Sequence, residues 1–276
     1  MSVCGETGSF FPSGQAYRPF LSAKKAQTRI KVYRSASSFS VPQGRRVFDA
    51  LGNWTLERCA SRYIFSIYDK ELGTLPYLSA VLSYDLKTCD IYIPKNSRRL
   101  SEKILPLEYP LDEILFINLL SQKHGILAHG CGIVYDKNGW VFAGASGAGK
   151  STMVRLWQKV ERVKVLNDDR LALRRVNNKW WVYGTPWHGA ISECSPDKAP
   201  LKAIFFLKHG TRNTLKKLKN IEAVTFLVAT SFPPLWDKKM MADSIKHCSD
   251  LALKIPCYEL VFSPTEDVIS FLKCHF

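Results

Sequence analysis

Nine residues, GASGAGKST from Gly144 to Thr152, leave this chain fewer structural options than any other segment. Gly144, Gly147 and Gly149 let the backbone turn without Cβ clashes, so that successive N–H groups can converge on one anion. Lys150 then supplies a point charge for the outer phosphates of a nucleoside triphosphate. Ser151 offers a hydroxyl to Mg²⁺ where a helix should begin, its positive dipole end toward the ligand. The pattern G-x-x-x-x-G-K-[ST] is met in full. The expected ATP-binding residues are therefore Gly144, Ala145, Ser146, Gly147, Ala148, Gly149, Lys150, Ser151 and Thr152.

The flanking sequence supports that reading. Upstream, GWVFAG (Gly139 to Gly144) is a short apolar run after the turn-like YDKNG and predicts a buried strand feeding the loop. Downstream, Met153, Val154, Leu156, Trp157 and Val160 recur at helical spacing. Strand, glycine-rich loop and helix follow in the order that phosphate binding requires.

A triphosphate also needs its metal held from a second side. VKVLNDD supplies Asp168 and Asp169 directly after an apolar strand pattern, and adjacent residues of an extended backbone face opposite ways. One carboxylate is expected to address Mg²⁺ and the other to take the proton from an attacking hydroxyl, and the spacing does not say which is which. Only a short helix separates Lys150 from this pair.

The segments HGCGIVYDKNGWVFAGASGAGKST and VLNDDRLALRR together resemble the C-terminal catalytic domain of bacterial HPr kinase/phosphorylase and its related kinases. That group is similar in its nucleotide site to ATP-dependent phosphoenolpyruvate carboxykinases. The resemblance implies an α/β, P-loop-containing core, ATP and Mg as cofactors, and transfer to a serine hydroxyl. It places His129, Lys150, Asp168 and Asp169 at the reaction centre, with Ser151 on the metal beside the Asp pair. VYGTPWHG and KAPLKAIFFLKHG look like segments of shorter HPr-kinase-like proteins, a group that includes kinases of ribosomal peptide precursors. Ala145 and Thr152 stand where HPr kinase proper has acidic residues, and its HPr-recognition signature is missing. A serine of another peptide or protein is thus the expected acceptor and a small metabolite the alternative. The same resemblance hints at a homo-oligomer.

Other candidates are weaker. His188 and Glu193, on a Pro-containing loop, are candidates for an acceptor pocket, Glu193 also as a substitute metal ligand. Trp180, Trp181 and Trp187 would serve equally as a wall for adenine or acceptor and as core.

Composition narrows the function classes. The chain has 276 residues, 46% of them hydrophobic, enough for a full core. No stretch approaches the roughly 18 uninterrupted apolar residues of a membrane span. The first residues lack a basic segment followed by an apolar one, so the expected location is cytoplasmic, with no membrane partner. Eight scattered cysteines without a C-x-x-C pair predict reduced thiols. A formal net charge of +15 favours an anionic partner. The Lys and Arg residues are dispersed, however, and no nucleic-acid-reading signature appears, so nucleic acid is not expected.

Along the chain, the first 25 or so residues read as loose surface, and residues 1–110 as a β-rich region built from RIKVY, RYIFSIYD, YLSAVLSYD and CDIYIP in a small antiparallel sheet. From Pro110 a helix is expected with Leu111, Ile114, Leu115, Asn118 and Leu119 on one face, ended by Gly125. Residues 111–276 then read as an α/β, P-loop kinase-like catalytic domain, the boundary falling within residues 105–125. Two functions remain open. One is a kinase; the other is a module in which ATP orders the protein for a partner with little transfer, where one metal-side carboxylate would suffice.

Overall fold

The computed structural model describes residues 2–5, 8–9, 15–22, 26–35, 41–69, 74–94, 107 and 109–276. The chain divides into two compact units, Met1–Phe116 and Ile117–Phe276. Most of the expected loose N-terminal segment, and residues 95–106 ahead of the helix, lie outside the described residues. The architecture is mixed α/β, dominated by two eight-stranded sheets.

In the first unit β1 (Ser2–Gly5), β2 (Gly8–Ser9), β3 (Arg29–Ser35), β4 (Arg45–Asp49), β5 (Trp54–Cys59), β6 (Arg62–Ile67), β7 (Leu78–Ser83) and β8 (Thr88–Pro94) form one sheet. Its order is β2-β1-β3-β8-β7-β6-β5-β4. The expected antiparallel sheet is found from β8 to β4, but β3 runs parallel to both β1 and β8. Period-2 alternation is clear in β8, where Cys89, Ile91 and Ile93 are buried.

Helix α1 (Leu111–Gln122) contains the division between the units. The expectation of a single apolar face is corrected: Asp112, Glu113, Asn118 and Ser121 are buried along with the apolar residues, so the helix is covered nearly all round. Nor does Gly125 cap it; Gly125 opens the next strand.

The second unit comprises β9 (Gly125–Tyr135), β10 (Asn138–Ala143), α2 (Lys150–Gln158), β11 (Lys164–Asn167), β12 (Arg170–Val176), β13 (Lys179–Gly184), β14 (Lys198–His209), β15 (Thr214–Lys217), α3 (Asn220–Ala229), α4 (Lys238–Lys254), β16 (Cys257–Phe262) and α5 (Asp267–His275). Its two longest strands, β9 and β14, change partners along their length. β9 pairs with β12 through Gly125–His129 and with β10 through Gly130–Tyr135. β14 pairs in turn with β13, β10 and β16.

Alternation along these strands sorts the core into two layers. Val141, Ala143, Ile204 and Phe206 face one layer, shared with Ala223 and Leu227 of α3 and Cys248 and Leu251 of α4. Trp140, Phe142, Ala203 and Phe205 face the other, shared with Met153, Val154 and Trp157 of α2 and Val268 and Leu272 of α5. Trp180 belongs to the first layer and donates from Nε1 to Asp250 at 2.9 Å. It is a core residue and not part of a ligand wall. Trp181 instead stands under the Lys198 ammonium, 5.0 Å from its ring centroid.

Asp250 also accepts from Arg175 at 3.0 Å and lies 3.0 Å from Lys254, tying α4 to the β12–β13 hairpin. Burial raises its pKa, but hydrogen bonds from Lys254 and Trp180 and the charge of Arg175 outweigh burial and hold it below its ordinary 3.8. A depressed carboxylate stabilises the fold above its unfolded pKa, and that contribution is lost as pH falls through the lower folded value. Asp250→Asn is expected to lower stability at neutral pH by about 1–2 kcal/mol. Urea unfolding curves should show this deficit shrinking as pH drops below 3.8.

Among the described residues no helix is long and apolar enough to cross a membrane. The cysteines at 59, 89, 131, 194, 248, 257 and 274 are free thiols, as expected; the side chain of Cys4 lies outside the described set.

Candidate functional site

Strand β9 organises the site because it has the glycine-rich loop on one side and the acidic pair on the other. Ala143, the last residue of β10, pairs with Gly130, and the loop starts at the next residue. On the opposite edge β11 and β12 run one after the other along β9, with Asp168 and Asp169 between them. The Gly130 amide donates to the Asp169 carbonyl at 3.0 Å. A single residue of β9 thus separates the origin of the loop from the carboxylates.

The loop has the backbone its glycines anticipate. Gly147 and Gly149 take φ of +80° and +96°, values that L side chains rarely adopt. A Cβ on Gly149 would also approach Phe262 Cζ to 2.7 Å. Helix α2 begins at Lys150. The Lys150 ammonium donates to the carbonyls of Gly144 at 2.9 Å and Ala145 at 3.0 Å, so it braces the loop from inside. Burial lowers its pKa, against the pull of the nearby Asp169 carboxylate. The Cys131 thiol, buried beneath it, donates to the Lys150 carbonyl at 3.3 Å, and burial pushes that thiol's pKa far up, so it is structural.

The carboxylates do not face opposite sides of an extended strand. Asn167 Oδ1 accepts from the amides of Asp169 and Arg170 at 2.7 and 2.8 Å, which bends the chain and turns both acids to the same cavity. Asp168 is 3% exposed, and its two oxygens accept from the amides of Gly189 at 2.6 Å and Ile191 at 2.9 Å. Asp169 pairs with Arg170 and with His129 Nε2 at 3.2 Å. Burial and the Lys150 charge push the His129 imidazole below its ordinary 6.5, although Asp169 opposes them. At neutral pH His129 is therefore uncharged, with the Nε2 proton directed at Asp169. Phe232 backs this group: its ring lies 5.9 Å from that of His129 and 5.1 Å from the Arg170 guanidinium.

These parts surround one cavity of about 340 Å³. Its walls include Ser146, Gly147, Gly149, Lys150, Ser151 and Thr152 from the loop and helix start, His129 from β9, and both Asp168 and Asp169. Gly189, Ala190 and His209 complete it. Among the described residues no group of three or more His, Cys, Asp or Glu side chains could hold a metal. The available donors are the two carboxylates and the Ser151 hydroxyl, all hard oxygens; this chemistry suits Mg²⁺, which keeps several waters and takes only one or two carboxylates.

The other candidates lie outside this set. His188 is exposed and contacts the Gly189 carbonyl, so it stands on the rim without lining the cavity. Glu193 is exposed and accepts from Gln158 Nε2 at 2.6 Å, away from the carboxylates, and is not placed as a metal ligand. Ala145 and Ala148 shape the loop without lining the cavity; the Ala148 amide donates to the Ala145 carbonyl at 3.1 Å. Besides Gly189 and Ala190, two side chains that the sequence does not single out are at the site: Arg170, beside Asp169, and His209, at the end of β14. Arg170 follows the acidic pair directly and was open to notice, whereas His209 is 62 residues from its loop partner and carried no signal.

The loop over the acids is fixed by its ends. Thr185 Oγ1 donates to the Arg170 carbonyl at 2.7 Å, and the Ser195 amide to the Leu166 carbonyl at 3.0 Å. A Cβ on Gly184 would fall 1.9 Å from the Ser195 carbonyl oxygen. Gly184→Ala is expected to cost about 2–3 kcal/mol, read from chemical denaturation, because backbone must move to admit it.

No family model and no curated protein matches this sequence. Among solved structures it is similar to the Hpr(Ser) kinase/phosphatase from Coxiella burnetii, at 10% identity and a TM-score of 0.32, over 54% of this chain and 86% of that one.

Proposed function

We propose that the chain is an ATP- and Mg²⁺-dependent kinase that transfers the γ-phosphoryl group to a hydroxyl, a serine of a peptide or protein other than HPr. One observation carries this reading: the glycine-rich loop with Lys150 and Ser151, and the pair Asp168 and Asp169 with His129, line the same cavity. The loop amides and Lys150 would bind the triphosphate, and Ser151 and the Asp pair would hold the metal. Mg²⁺, when bound, neutralises phosphate charge. A carboxylate of the pair takes the acceptor's proton as the new O–P bond forms. The bond from the γ-phosphorus to the β–γ bridging oxygen breaks, and ADP leaves with its electrons. His129 orients Asp169 through its Nε2 contact, and Lys150 offsets charge on the departing oxygens.

The choice of a peptide or protein acceptor draws on surface and charge. The rim at His188–Ala190 is exposed, and the chain's charge of +15 suits a partner with acidic stretches. A second reading has its own support: both Asp168 oxygens already anchor the 189–191 backbone, as they would in a protein that only binds nucleotide.

Incubation with γ-labelled ATP, Mg²⁺ and a panel of serine peptides, with their Ser→Ala counterparts, separates the two. The kinase reading expects label on serine peptides alone. Bound ATP with no label on any acceptor would favour the binding module.

A further inference from the structure

We infer that His209 is a positioning residue for the nucleotide, holding the glycine-rich loop in its phosphate-binding shape from the neighbouring strand; this rests on the kinase reading of the same cavity. His209 ends β14, and its Nε2 lies 2.6 Å from the Gly147 carbonyl. A carbonyl only accepts, so Nε2 carries the proton. The ring is stacked on Phe262 of β16, with centroids 5.9 Å apart and planes 26° from parallel. It also closes on Gly149, where a Cβ would come within 3.3 Å of His209 Cε1.

The consequence follows from the geometry of one peptide. The Gly147 carbonyl and the Ala148 amide belong to the same planar, trans unit and point in opposite directions. The carbonyl is held by His209 and the amide by the Ala145 carbonyl at 3.1 Å, so the plane is held from both ends. That plane begins at Gly147 and ends one residue before Gly149, and both of these glycines take a positive φ that L side chains rarely adopt. A Cβ on Gly147 would meet nothing within 4 Å, so no neighbour packs on that side of the residue. The hydrogen bond from His209 takes the place of packing. It reduces the ordering that nucleotide binding would otherwise require, which is preorganisation supplied from a strand that carries none of the motif.

Two substitutions separate the donor from the ring. His209→Phe keeps the stack on Phe262 and loses the donor; His209→Gln keeps a donor and loses the ring. Calorimetric titration with Mg·ATP should show His209→Phe binding about 5- to 10-fold more weakly, the effect of one hydrogen bond. KM for ATP should rise in parallel, while kcat at saturating ATP and KM for the peptide change less than about twofold, since only a binding step is affected. His209→Gln should restore most of the affinity. A His209→Phe protein that binds Mg·ATP as wild type does, or a Gln variant as weak as the Phe variant, would overturn the inference. Failure of the wild-type protein to bind Mg·ATP would overturn the kinase reading itself, and the two failures are distinct.

Discussion

Replacing Lys150 by Met is expected to reduce phosphoryl transfer by about 10²–10³-fold while the protein remains folded. Methionine fills nearly the same volume, so the buried stem keeps its packing, while the charge and its hydrogen bonds to the Gly144 and Ala145 carbonyls are removed. The ammonium has two tasks in this site. It spans the carbonyls of Gly144 and Ala145, which holds the first turn of the loop. Among the described residues it is also the one lysine lining the cavity, where on the kinase reading charge on the transferred group and the departing oxygens would be offset. Single-turnover transfer gives the rate, and a thermal melt by circular dichroism checks the fold. Transfer at the wild-type rate in a folded Lys150→Met protein would contradict the assignment.

The second large effect is expected at the carboxylates, and their different anchoring separates the two variants. Asp169→Asn keeps the shape but removes the charge facing Arg170 and His129. Transfer should fall by about 10²–10⁴-fold, the usual contribution of a positioned base, with ATP affinity changed only a few-fold. Asp168→Asn should lose transfer and stability together. Its new NH₂ group would face one of the amides of Gly189 and Ile191, leaving two donors opposed where one carboxylate now serves both. Chemical denaturation and single-turnover transfer on both variants check this. Equal stability and undiminished transfer in both would remove the pair from the chemistry.

Local chemistry made part of this structure legible. The loop could be read because three glycines, a lysine and a serine fall between an apolar strand and a helical repeat. Helix α4 is equally local: its buried residues Met240, Ser244, Cys248, Leu251 and Ala252 recur at helical spacing in the sequence. The β12–β13 hairpin was not read as such, although Asn177 and Asn178 sit at its turn with φ of +49° and +62°. Two consecutive asparagines that tolerate positive φ are a hairpin signal, and the basic and aromatic residues around them obscured the alternation.

Long-range geometry was less accessible. That Asp168 and Asp169 converge depends on Asn167 bending the chain, which a strand-alternation argument cannot anticipate. Glu193 is drawn off by Gln158, a partner 35 residues earlier. Trp180 is claimed by Asp250 from α4, 70 residues later.

The central claim is that loop and carboxylates form one Mg·ATP site. Equilibrium titration of a non-hydrolysable ATP analogue over a range of Mg²⁺ concentrations tests it most directly, with wild-type protein and the Asp168→Asn, Asp169→Asn double variant compared at matched folded fraction. The site described here predicts that Mg²⁺ strengthens binding to the wild type and that this dependence largely disappears when both carboxylates are neutral. Binding that ignores Mg²⁺ in the wild type, or a Mg²⁺ dependence that survives unchanged in the double variant, would contradict it.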